Sequence, residues 1–422
     1  MPRSRVGGHR PRAAAGSAVV PLRRAPLKPV LLLSMVLRFR PAAHAALGVA
    51  SCGLLLLGCF SGDVTIGAVC ADASDCGPAQ ECRHELCGRC GNGQHEAGEL
   101  CYGDPVEVAG GAAIEMFRIA DLDGDGRDEV VVVDEAGTLQ HLSAQGGVLG
   151  SRVITTASPV TTFALGDGDG DGDGDIVAAS GRLVTVLAAD DQGDFSPIFA
   201  IDVGHLIAEA TVVPRLEQAA TLGFVDDVGA LHVIDLVEGA VARHIDVGTQ
   251  VHLGPAVDFD DDENLDLAVV DERQNRLAIV TGGSWDGFTR LDVGRGPTAV
   301  VAFDRDRDGR LDFMTLDRFG RTVTLVSAAA DRGLRALDSL ALGTAPIAAT
   351  AFDADLDGEP DVFVGTDVGV EFWRGEAGRN PEGVTFATGG VQSIGVGRFG
   401  PLPVLELVTL ADGRLRRQAV NP

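Results

Sequence analysis

Five times along the chain, acidic residues fall on alternate positions of a short polar stretch that then runs into an apolar one. The stretches are "DLDGDGRDEVVVV" from Asp121, "DGDGDGDGDIVAA" from Asp167, "DFDDDENLDLAVV" from Asp258, "DRDRDGRLDFMTL" from Asp304 and "DADLDGEPDVFVG" from Asp353. Each carries acids at positions 1, 3, 5 and 9. Successive starts differ by 46, 91, 46 and 49 residues, and the 91 is two periods. A degenerate copy therefore belongs near Val213, where "VVPRLEQAATLGFV" keeps the strand-like flanks without the acids. Another falls at Arg398, in "VGRFGPLPVLELVTL". The count is seven repeats.

Aspartate on every second residue, often with glycine between, gives a tightly curling loop whose short side chains point inward. Two carboxylates about 4 Å apart repel by about 4 kcal/mol at an effective dielectric near 20, so such a loop calls for a cation. Calcium, bound by six to eight oxygens, suits the donor set. A helical EF-hand would need a glutamate at position 12. Position 12 is Val132, Ala178, Val269, Thr315 and Val364 in the five loops, which excludes it. The residues after position 9 are short, apolar and largely β-branched, so each loop is expected to open into a buried strand.

Repeats of this length that hold several short strands indicate a β-propeller, an all-β ring that leaves only short sheet edges. "QGDF" ending at Phe195, "WDGF" ending at Phe288 and "EGVTF" ending at Phe386 add a hairpin turn to the pattern, each expected to deliver a phenylalanine to the sheet. The expected blade is strand, acidic loop, strand, turn, strand, turn, strand. The seventh repeat is too short for four strands, and "VEVAG" at 106–110 stands where a closing strand is needed.

The D-x-D-x-D-x-x-x-D loops and G-D-x-F turns resemble the FG-GAP/VCBS repeats that build the seven-bladed propellers of integrin α-subunits and of many secreted bacterial proteins. The resemblance covers roughly residues 106–422 and implies calcium ligands in five loops. These are the side chains of Asp121, Asp123, Asp125 and Glu129; Asp167, Asp169, Asp171 and Asp175; Asp258, Asp260, Asp262 and Asp266; Asp304, Asp306, Asp308 and Asp312; and Asp353, Asp355, Asp357 and Asp361. At position 7 a carbonyl is implied, from Arg127, Asp173, Asn264, Arg310 or Glu359. Glu129 in place of aspartate and Glu263 in place of glycine depart from the pattern.

Ahead of the propeller the chain changes character. Residues 1–58 hold nine Lys or Arg and no acid, then the apolar "ALGVASCGLLLLGC" ending at Cys59, which reads as an export signal, with Met35 as an alternative start that would leave a compact basic segment ahead of the apolar run. "LLGC" resembles the lipobox of bacterial lipoproteins, which implies acylation of Cys59 and a place on the outer membrane or cell surface; an uncleaved signal anchor is the alternative. A tether over 59–69 leads to a cysteine-rich segment, 70–104, with Cys70, Cys76, Cys82, Cys87, Cys90 and Cys101. Six cysteines at close spacing in an exported chain point to three disulfides, and "CGRC" with His84 and His95 leaves zinc as an alternative. The remainder, 105–422, is the propeller.

Without the signal, 25 basic and 61 acidic residues leave a net charge of −36, which argues against nucleic acid and anionic lipid headgroups as partners. Propellers host binding modules, lectins and enzymes alike. A lectin would stack sugars on Trp or Tyr, and the propeller offers only Trp285 and Trp373. An enzyme, whether hydrolase or lyase, would need a catalytic constellation. The five propeller histidines, His141, His205, His232, His244 and His252, lie in different blades or turns without ligand spacing, and there is no G-x-S-x-G elbow. The expectation is a monomeric, membrane-anchored, non-enzymatic binding or scaffolding module for an extracellular protein or glycan.

Overall fold

The computed structural model describes Glu81–Arg83, Leu86–Gly88 and, with short interruptions, residues 105–420. Cys59, Cys70, Cys76, Cys90 and Cys101 lie outside the described residues. The two short segments pair antiparallel with Cys82 opposite Cys87 in backbone register.

Residues 106–420 form seven four-stranded antiparallel sheets, a seven-bladed β-propeller. Blade 1 runs Ile114–Ala120, Glu129–Asp134, Leu139–Gln145 and Val148–Ile154; blades 2 to 6 repeat that order. First strands of neighbouring blades touch one another all the way round, including Ser393–Gly397 of blade 7 against Ile114–Ala120 of blade 1, so they ring the axis and the circle is closed.

Burial follows from that geometry. A second strand has a blade on either side, and Glu129–Asp134, Asp266–Asp271, Asp312–Asp317 and Asp361–Thr366 are buried along their whole length. This is why they read as continuous apolar runs rather than alternating ones. Fourth strands such as Leu334–Ala341 are largely exposed. The core is accordingly divided among the seven blade interfaces, each with its own apolar cluster; Phe163, Ile176 and Leu187 of blade 2, for example, pack on Val131, Val133 and Leu139 of blade 1.

Blades are also stitched by backbone hydrogen bonds. The carbonyl of a turn glycine between second and third strands accepts from the next blade's chain: Gly137 from Val160, Gly181 from Ile207, Gly229 from Val251 and Gly413 from Ile114, at 2.9–3.0 Å. Gly137 needs its lack of a side chain on two counts, a φ of +77° and the Pro159 Cβ, which would stand 2.6 Å from an added Cβ.

Two expectations are modified. Near Val213 the repeat has lost its loop as well as its acids: strands Ile207–Arg215 and Gln218–Asp226 run on to a tight hairpin, with Arg215 paired to Gln218. Of the turn phenylalanines, Phe195 packs against the cluster between blades 1 and 2, whereas Phe288 remains 39% exposed under the Arg290 guanidinium. The side chain of Phe386 is outside the described set.

Closure takes the form that the short seventh repeat implies. Val106–Val108 is the outermost strand of blade 7, pairing Val106 with Arg417, Glu107 with Arg416 and Val108 with Leu415, and Val108 is buried. Deleting residues 104–111 uncovers the edge of Arg414–Val420 and the Val108 pocket together. The expected outcome is a melting temperature about 5 °C lower or more, from a loss of about 2 kcal/mol, with increased aggregation, read by calorimetry and light scattering.

Candidate functional site

The five acidic loops join first to second strands, so they all lie at one end of the ring, here the loop face. Their shape is set by the aspartates themselves. In every loop the position 1 carboxylate accepts the amide of position 6: Gly126 to Asp121, Gly172 to Asp167, Glu263 to Asp258, Gly309 to Asp304 and Gly358 to Asp353, at 2.9–3.2 Å. Position 5 accepts the amide of position 7: Arg127 to Asp125, Asp173 to Asp171, Asn264 to Asp262, Arg310 to Asp308 and Glu359 to Asp357. Position 6 is left-handed throughout, and Glu263 adopts a φ of +69° where the other loops have glycine. The departure seen in the sequence is therefore a strained residue, at a cost of about 1 kcal/mol.

Position 9 is the buried member. Glu129, Asp175, Asp266, Asp312 and Asp361 each begin a second strand and are nearly inaccessible. In four loops this carboxylate takes the position 2 amide, from Leu122, Gly168, Phe259 or Ala354, at 2.8–3.0 Å. In three the second oxygen takes an amide beyond or at the end of the third strand: Gly282 to Asp266, Ala328 to Asp312 and Gly375 to Asp361. Position 9 thus pins the loop to the blade.

In four of the five loops three carboxylates come together. Asp121, Asp123 and Glu129 bring oxygens within 4.8 Å of one another, as do Asp167, Asp169 and Asp175, Asp258, Asp260 and Asp262, and Asp304, Asp306 and Asp308. Burial pushes the Glu129 carboxyl up to about 7, with Asp123, Asp121 and Asp125 adding to it, and the Asp175 carboxyl to about 6. Burial and the neighbouring Asp355 raise Asp361 to about 8.

The loops differ in the positive charge that the chain supplies. In blade 5 Arg305 reaches Asp306 and Asp312 at 3.6 Å, and in blade 6 Arg374 lies 3.2 Å from the fully buried Asp355. Blade 2 has no such arginine among its described ion pairs, and its buried Asp175 Oδ1 has no hydrogen-bond partner. An all-oxygen donor set with an orphaned buried carboxylate oxygen is chemically matched to a hard divalent cation.

Neighbouring loops are linked to each other. Gly174 of blade 2 donates its amide to the Leu122 carbonyl of blade 1, and Asp128 of blade 1 exchanges bonds with Arg398 of blade 7, amide to carbonyl at 2.8 Å and carboxylate from amide at 2.6 Å. Phe399, where other loops carry acids nearby, is fully buried.

The other end of the ring, the turn face, carries the second-to-third-strand turns. Exposed apolar side chains stand at three of their tips, Val228, Phe319 and Val368, all more than half exposed. Trp285 and Trp373 are buried in the clusters between blades 3 and 4 and between blades 5 and 6, which takes both out of contention for sugar stacking.

The histidines require a correction. His205, His232 and His244 meet at blade 3, where His232 and His244 are cross-strand partners. Their separation along the chain hid this, and only the blade's strand register could have revealed it. His252 bridges blades, with Nδ1 2.7 Å from Glu209 of blade 3 and Nε2 3.2 Å from Glu272.

Neither protein-family models nor curated protein sequences give a match to this chain. Among solved structures, the chain is similar to BBS1N in complex with ARL6DN, in crystals soaked with mercury, at TM-score 0.57 and 14% identity, covering 76% of this chain and 96% of that one. The same complex soaked with lead gives TM-score 0.54 at the same identity and coverage. The Myceliophteria thermophila Cps50 (Swd1) β-propeller domain follows at 0.49 and 12%, covering 76% and 99%. At these identities the likeness is one of fold.

The His252 bridge has a pH signature. Hydrogen bonding to Glu209, then the charges of Glu209 and Glu272, hold its imidazole above the usual 6.5 against burial. A raised folded-state value means that the stabilisation is fully present below pH about 6.5 and is lost as pH rises through the folded value. His252→Gln is expected to lower the melting temperature at pH 6 and to differ little from the parent at pH 9, in parallel thermal scans.

Proposed function

We propose that this chain is an exported, lipid-anchored propeller, stiffened by calcium in its acidic loops, whose turn face binds an extracellular protein. The observation that carries the binding reading is the presence of three exposed apolar tips, Val228, Phe319 and Val368, on blades 3, 5 and 6 at one end of the ring. Apolar tips on an otherwise acidic, soluble ring suit a protein surface rather than a sugar. The burial of both propeller tryptophans argues the same way. BBS1N is itself found in complex with ARL6DN; for this chain the argument rests on its own turn face.

In this reading the ions are architectural. The side chains at positions 1, 3, 5 and 9, from Asp121 to Asp361, with the position 7 carbonyls, would hold calcium, which would offset carboxylate repulsion and rigidify one rim of each blade. The orphaned Asp175 oxygen and the all-oxygen donor set support this. Glu129 and Glu263 mark the loops furthest from the repeated pattern, and Arg305 and Arg374 already supply part of the charge in blades 5 and 6. Cys59 would anchor the chain, and the six cysteines of 70–104 would stiffen a spacer between membrane and ring. The resemblance to FG-GAP/VCBS proteins is part of the same proposal.

Binding to the folded state alone contributes about 2.7 kcal/mol per site at 100 times Kd. Metal analysis of the dialysed protein is expected to give about five calcium ions per chain. Asp169→Ala should remove one ion and lower the melting temperature by about 5 °C, and chelation should lower it far more. A protein without calcium, or one whose melting is indifferent to chelation, refutes the architectural role.

For the turn face, a Val228→Glu, Phe319→Glu and Val368→Glu triple variant should keep the parental melting temperature, because all three side chains are exposed. Cross-linking on intact cells should recover a surface protein with the parent and with Asp169→Ala but not with the triple variant. Equal recovery with the triple variant excludes this face.

A further inference from the structure

Blade 3 has a short hairpin where five other blades have an acidic loop, and its concentration of chemistry lies at the other end. His205 sits in the link that enters the blade, Asp226 ends its second strand, and His232 lies on its third. One oxygen, Asp226 Oδ2, faces both imidazoles: His232 Nε2 at 2.9 Å and His205 Nδ1 at 3.5 Å. One ligand atom from each of the three residues lies within 4.8 Å of the other two. Around a tetrahedral ion with ligands at 2.0–2.1 Å, donor atoms are about 3.3 Å apart. The observed spacings straddle that value.

The parts are held in place by the fold. Asp226 Oδ1 accepts the amides of Val228 and Ala230 at 3.1 and 2.9 Å, which fixes the carboxylate and turns Oδ2 outward. The His232 ring is stacked on Phe224, with centroids 5.0 Å apart and planes 11° from parallel. His205 is about half exposed and opens the cluster to solvent, while Asp226 and His232 are buried. His244 stands behind, its ring 5.3 Å from that of His232.

Comparison among blades separates a ligand set from an ordinary turn cap. Asp134, Asp271 and Asp317 occupy the same place as Asp226, at the end of a second strand. Asp134 and Asp271 cap their turns through Oδ1, as Asp226 does. The second oxygen of Asp271 takes the Thr249 amide, and that of Asp317 takes the Thr322 and Thr324 hydroxyls. Small donors from the chain suffice there. In blade 3 the position that corresponds to Thr324 holds an imidazole, and a second imidazole arrives from the link. Two converging ring nitrogens with one carboxylate are the donors that borderline cations prefer, unlike the all-oxygen loops across the ring.

We infer that His205, Asp226 and His232 form a binding site for one divalent transition cation of the zinc type, with a coordination position open on the His205 side. It is separate in residues and in donor chemistry from the loop sites, and does not depend on them.

The test is a cobalt(II) titration of the purified full chain, stripped with chelator and returned to calcium. The parent should give one visible d–d band without a thiolate charge-transfer component, which separates this site from the cysteine-rich segment, and zinc should displace it. His205→Ala lies on an exposed link and leaves the blade core intact, so it should fold as the parent does and lose at least about tenfold in cobalt affinity; His232→Gln should abolish the band. Asp169→Ala, which touches only a loop, should bind cobalt as the parent does. Parental affinity in His205→Ala, or no thiolate-free band in the parent, overturns the assignment whatever the calcium content proves to be.

Discussion

Every blade of this protein has two apolar faces and hides both against its neighbours. That constraint governs the rest of the structure. It places a separate slab of core at each of the seven interfaces, buries the second strands, and leaves much of the fourth strands to solvent. It also explains why a repeat can discard its loop and survive, as blade 3 does: Leu222 and Phe224 still pack on blade 2 and Val225 on blade 4. What a blade cannot discard is its pair of neighbours.

The acidic loops are built onto this frame through one carboxylate. By taking an amide of its own loop and, in three blades, an amide near the third strand, position 9 makes the loop an extension of the sheet. The outer aspartates then hold the curl through their own backbone bonds and keep further oxygens for a ligand. The arrangement concentrates charge that burial penalises, which is the physical reason that Glu129, Asp175 and Asp361 hold their protons so far above the usual carboxylate range.

Much of this architecture was legible because it repeats. Five acidic loops at near-constant spacing gave the number of blades, and the shortness of the last repeat pointed to Val106–Val108 as the missing strand. The hairpin of blade 3 was not legible, since "VVPRLEQAATLGFV" keeps the spacing of a loop-bearing repeat while its residues continue as strand. Nor was the meeting of His205, His232 and His244. Periodicity reveals what all blades share, whereas this cluster depends on the cross-strand register of one blade and on the path of one link. The dual use of position 9 was hidden for a similar reason, because its partners near the third strand lie 14 or 16 residues further on.

The strand that closes blade 7 comes first in chain order among the strands of the ring, and its partner Arg414–Val420 comes last. Until Arg414–Val420 is in place, the ring stays open with two unsatisfied flanks, and the most sequence-distant strand pairing among the described residues is also the one that seals it. Loop-closure entropy makes such a contact a late kinetic event. A ring that lacks this pairing keeps an open strand edge on each side of the gap, so closure also decides whether the propeller presents a surface that other strands can add to.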